Sequence, residues 1–162
     1  MRNAASPLRA MIGARFVVVE AGDEAAGRLE VLIAAEDQGW VEAELEESGA
    51  VRIGALLDGG SSFRLPDGST LDVVAGDEPW LPQALECARL APNGLPVIGL
   101  PYLVLFRLTT ARSADARELE RLLGCASEAQ LERVRAAVDA FLPDMRGDLE
   151  SIIALGRLAQ DN

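Results

Sequence analysis

Two acids interrupt apolar runs in this chain: Glu30 within Leu29-Glu30-Val31, and Asp72 within Leu71-Asp72-Val73. A carboxylate in such a run is costly to bury unless a cation meets it, so the pair points either to a divalent metal ion or to an arginine partner. The rest of the composition closes most other routes to chemistry. The chain has no histidine, and all 15 basic residues are arginine. Ser-His-Asp and Cys-His nucleophilic sites, imidazole zinc sites, a P-loop lysine and Schiff-base chemistry are therefore excluded. Carboxylate oxygen remains, the donor that hard Mg²⁺ or Mn²⁺ prefers. The competing reading is an arginine-satisfied pair, with Arg28, Arg64 or Arg52 as the partner.

The elements that would carry these acids are short strands. From residue 14 to about residue 77 the apolar residues come in brief runs punctuated by Gly, Asp and Ser, and from Trp80 onward the spacing becomes helical. Phe16-Val17-Val18-Val19 and residues 29–33 read as buried strands. Residues 37–49 open on Asp37 and close on Gly49, with Val41 and Leu45 four apart, which predicts a short acidic helix whose Glu42 to Glu47 stretch is a solvated face. Runs at 51–57, 63–65 and 70–75, separated by Asp-Gly turns, predict a meander of two or three strands. The glycine-rich Asp58-Gly59-Gly60-Ser61-Ser62 reads as a hairpin turn and not as a phosphate loop. A helix is predicted over 80–90 and a last strand over 95–99. Four helices follow, the third opened by the capping-box pattern Ser127-x-x-Gln130.

This order predicts an α+β fold, a small mixed β-sheet with helices on one side, followed by a C-terminal helical cap. Residues 1–10 are expected to be a flexible tail, 11–99 the α/β core and 100–162 a helical subdomain packed on it. At 162 residues and 49% hydrophobic content the chain can bury one core. Its formal charge of −11 disfavours the phosphate backbone of nucleic acid and anionic membrane surfaces. No stretch approaches a membrane span, and a cytoplasmic location is expected. Cys87 and Cys125 are expected to be buried free thiols.

The region from Phe16 to about Leu142 resembles the minimal bacterial nucleotidyltransferases of the polymerase-beta-like superfamily, of the toxin-antitoxin and abortive-infection type. The better match lies in the second half. There Leu95-Pro96-Val97-Ile98-Gly99-Leu100-Pro101 resembles the family's strand-to-helix junction, and the segment from Phe106 to Leu119 resembles the motif after it, with Arg107 in the lysine place, Arg112 and Asp115 kept, and Glu118 for the second Asp. The resemblance implies transfer of a nucleoside monophosphate from an NTP to a hydroxyl acceptor. It implies Glu30 and Asp72 as catalytic and metal-binding residues holding Mg²⁺, with Arg28, Arg64, Arg112 and Asp115 binding substrate. Asp23 stands near enough in sequence to help deprotonate the acceptor.

The first position of the family's carboxylate pair falls on Arg28, and acids occupy the place of its phosphate-cradling Gly-Ser helix. The resemblance is therefore to a degenerate member with an incomplete carboxylate set. A non-catalytic binding or regulatory module, working through a protein partner or as a homodimer, is the alternative on the same fold. The position of Arg28 separates the two: a guanidinium inside the carboxylate cluster favours the module, and one turned to solvent with another acid in the gap favours the enzyme. Glu30 and Asp72 on opposite faces would instead indicate an unrelated domain. For Arg112 and Asp115, a helix cap and a packing ion pair compete with a role in the site.

Overall fold

The structure, a computed structural model, describes residues 8, 15–21, 27–110 and 113–160, with the side chains of 20, 21 and 113–115 outside the description. Two compact units divide it, Met1–Ile98 and Gly99–Asn162. The first contains strands β1 (Phe16–Ala21) and β2 (Arg28–Ala34), helix α1 (Gln38–Glu47), strands β3 (Val51–Ala55), β4 (Gly60–Arg64) and β5 (Thr70–Gly76), helix α2 (Leu81–Glu86), and the two-residue strands β6 (Arg89–Leu90) and β7 (Pro96–Val97). They form one mixed seven-stranded sheet in the order β3-β4-β5-β2-β1-β7-β6.

The centre of the sheet is the parallel pair β2 and β5, in register from Arg28 opposite Thr70 to Ala34 opposite Gly76. From Glu30 to Ile33 and from Leu71 to Gly76 the two strands are buried on both faces, as expected of parallel strands covered on each side. Because side chains alternate, Leu29, Val31 and Ile33 share a face with Leu71, Val73, Ala75 and Phe63, and there Val41 and Leu45 of α1 complete the core. The opposite face carries Glu30, Leu32, Asp72 and Val74. Two glycines make the turn into β4: Gly59 and Gly60 have φ of 92° and 99°, and a Cβ at Gly60 would overlap the Val73 carbonyl oxygen. The hairpin reading of this stretch therefore holds, and it brings Ser61 and Ser62 into the sheet.

The second unit is helical: α3 (Leu100–Thr110), α4 (Ser113–Gly124), α5 (Glu128–Phe141) and α6 (Arg146–Gln160). Ser127 caps α5 as the sequence predicts, its hydroxyl accepting from the Gln130 amide while the Gln130 side chain accepts from the Ser127 amide. The α4–α6 crossing is set by Gly124 and Gly156, which bring the two backbones into contact. No helix among the described residues is long and apolar enough to cross a membrane.

Two expectations are corrected. Residues 80–90 are not one helix, because α2 ends at Glu86 and Arg89–Leu90 pairs with Pro96–Val97 across the turn at Asn93 and Gly94. Leu8, the described residue of the 1–10 stretch, is buried in the core cluster; the other residues of that stretch lie outside the description. Both cysteines are exposed, since each falls just past a helix end where the chain turns.

Candidate functional site

The register of β4, β5 and β2 sets two rows of side chains on the sheet face away from α1. One row is Ser62, Asp72 and Glu30, and the next is Arg64, Thr70 and Arg28. Glu30 and Asp72 are thus nearest neighbours on adjacent strands, with backbones about 5 Å apart. Both are buried, at 7% and 1% exposure.

Asp72 is fully engaged. Arg28 Nε donates to its Oδ2 at 2.8 Å, Arg28 Nη2 donates to the same oxygen, and Ser62 Oγ donates to Oδ1 at 2.5 Å. Arg28 reaches it diagonally from the first residue of β2, with 60% of its own side chain exposed against 1% for the aspartate. The guanidinium therefore lies inside the carboxylate cluster. Of the three arginines considered as partners, it is Arg28 that fills the role. Arg52 sits on the other face, 3.5 Å from Glu42, and Arg64 is exposed at its register position beside Thr70.

This donor set does not fit the two-metal centre that the resemblance implies. Both oxygens of Asp72 already accept hydrogen bonds, and the position that should supply a further acid supplies a cation. Among the described residues no three acids or cysteines converge on a point that could hold a metal ion. An arginine in the ring supplies fixed positive charge where a divalent ion would sit, and any ion entering would have to displace it.

Ser62 was not singled out in the sequence, since it belongs to the glycine-rich turn. Its position two residues before Arg64 in an alternating strand was the available signal. Glu42, expected on a solvated face, is instead engaged at the sheet. It accepts from Ser61 Oγ at 2.6 Å and from Gln38 Nε2 at 2.9 Å. Burial works against its charge, but those two hydrogen bonds and the Arg52 guanidinium outweigh it and hold the carboxyl below the ordinary glutamate range. This cluster fastens α1 to β4 on the face opposite Asp72.

Arg107 and Glu118, placed by the resemblance in the motif after the junction, form an ion pair at 3.4 Å between α3 and α4, and Arg107 also stacks over Phe106. Arg107 is buried within the helical unit, so its surroundings are those of a packing residue. Arg112 and Asp23 lie outside the described residues. Asp115 belongs to α4, and its side chain lies outside the description.

No family pattern matches the sequence, and no curated protein matches it. Among solved structures the chain is similar to a solution structure of the antibiotic-resistance factor ANT(2'')-Ia. The identity is 14% and the TM-score 0.47, over 96% of this chain and 89% of that one. It is also similar to a crystal structure of ANT(2'')-Ia in complex with adenylyl-2''-tobramycin, at 14% identity and a TM-score of 0.48, over 96% and 95% of the two chains.

Proposed function

We propose that this chain is a non-catalytic binding or regulatory module on a nucleotidyltransferase-like scaffold, in which an arginine stands where metal-dependent transfer would need a metal ligand. The observation that carries the reading is Arg28 donating to Asp72 from within the carboxylate cluster. The side-by-side register of Glu30 and Asp72 on one sheet face supports the scaffold.

The reading has a direct consequence for metal and nucleotide. Displacing Arg28 would leave the buried Asp72 carboxylate with Ser62 alone until an ion arrived, so Mg²⁺ affinity is lowered by the strength of the Arg28–Asp72 contact. Isothermal titration of the full chain with Mg²⁺, Mn²⁺, ATP and GTP should give no metal-dependent nucleotide binding. The Arg28→Asp variant, which restores an acid at the first position, should gain heat of Mg²⁺ binding. Metal-dependent ATP binding by the native chain, lost in both Glu30→Ala and Asp72→Ala, would return the protein to the transferases.

A further inference from the structure

We infer that the surface row Arg64, Thr70 and Arg28 is a binding site for a phosphate-type oxyanion on a small molecule, working without a metal ion; this rests on the metal-free reading above. Arg64 lies opposite Thr70, and Thr70 opposite Arg28, so three adjacent strands present two guanidiniums with a hydroxyl between them on one face. Two strand spacings put the arginine Cβ atoms roughly 10 Å apart, a gap that two long side chains can close on one anion.

The donors left over are the right ones. A guanidinium has five N–H groups in a planar fork. Arg28 commits Nε and Nη2 to Asp72, which holds the plane in place, while the side chain stays 60% exposed with donors to spare. Arg64 is exposed, and among the described residues no acid pairs with it. The Thr70 amide is spent on the Gly27 carbonyl at 2.8 Å, which pins the strand start, and its half-buried hydroxyl remains available as a third donor. Asp72 does not cancel this surface, because its charge is buried below and engaged by Arg28 and Ser62.

Arg64 brings the charge of the row that no described acid offsets, and Arg28, held in place by Asp72, adds its remaining N–H donors, so an oxyanion seated between them gains directed contacts from both guanidiniums. The formal charge of −11 restricts what can bring the anion. A long polyanion would meet acidic surface along most of its length, so the row suits a single phosphate group and not nucleic acid.

Inorganic phosphate is the probe. It is titrated into the ¹⁵N-labelled full chain with EDTA present, following the Nε–Hε signals of Arg28 and Arg64 and the Thr70 amide. Saturating shifts at all three are expected. Binding about tenfold weaker in Arg64→Gln is expected from losing one charged fork, with unchanged thermal unfolding because Arg64 holds no other group among the described residues. Thr70→Val should weaken binding as well. No shifts, or equal affinity in Arg64→Gln, overturns the anion row, and continued silence toward Mg²⁺ then leaves the metal-free reading standing. Phosphate binding that appears only with Mg²⁺ and disappears in Glu30→Ala overturns both.

Discussion

Asp72 is nine-tenths and more out of water, while the arginine that neutralises it stands mostly in solvent, and that asymmetry governs what substitutions at either residue do. Arg28→Ala leaves the buried carboxylate with Ser62 alone and should cost about 1–3 kcal/mol, read by urea unfolding near neutral pH. Adding Asp72→Asn to that variant removes the stranded charge and should recover part of the loss. A double-mutant cycle with no coupling would show that the contact contributes nothing. Glu42 makes a second residue-scale case, in which pH is the variable. Its folded carboxyl lies below the ordinary value of 4.5, so its contribution to stability is complete above that value and is lost as pH falls through the lowered one. Ser61→Ala removes one of the hydrogen bonds responsible. The native chain should therefore lose more stability than Ser61→Ala between about pH 6 and pH 3, and parallel acid limbs would refute the role given to that serine.

At the scale of elements, helix packing offers a comparison within α6. A Cβ at Gly156 would run into the Glu120 carbonyl and the Gly124 amide, both backbone, so Gly156→Ala must push α4 and α6 apart and should cost roughly 1–3 kcal/mol. Gly147, in the first turn of the same helix, has nothing within reach of an added Cβ, and Gly147→Ala should be neutral or stabilise by up to about 1 kcal/mol. Thermal melts of the two variants should therefore move in opposite directions or at least diverge. Local signals of this kind are where the sequence was most legible. The Ser127 capping box and the Asp-Gly and Gly-Gly turns are all interactions among neighbours in the chain. What depends on distant pairing was less legible. Residues 89–90 form a strand only because Pro96–Val97 returns beside them, and Ser62 matters only because β4 lies next to β5. The closeness of Glu30 and Asp72 was a condition in the sequence reading, and it needed the β2–β5 register to become a fact. Glu42 departs from that pattern because a run of four acids in six residues resembles an exposed face, and it is the Ser61 hydroxyl and Arg52 across the fold that distinguish one of them.

For the whole molecule the controlling quantity is its charge, with 26 acids against 15 arginines. Several of the described ion pairs lie at the surface of the helical unit, among them Arg146 with Asp139 at 2.5 Å and Arg157 with Glu128. Exposed pairs of that type contribute little to stability and are screened by salt. The unbalanced acids repel one another over longer distances, and raising ionic strength from about 0.01 to 0.15 M shortens the screening length from roughly 30 to 8 Å, which removes most of that repulsion. The second effect involves more charges than the first, so the unfolding temperature should rise by a few degrees over this range; a fall would mean that the surface pairs outweigh the repulsion. The same experiment separates screening from binding. A metal held by the folded state stabilises by RT ln(1 + [L]/Kd), over and above its contribution to ionic strength. With Arg28 inside the carboxylate cluster, MgCl₂ and NaCl at matched ionic strength should raise the unfolding temperature of the native chain equally. In Arg28→Asp the two salts should part, because there Mg²⁺ would meet a carboxylate beside Asp72 where the native chain presents the Arg28 guanidinium.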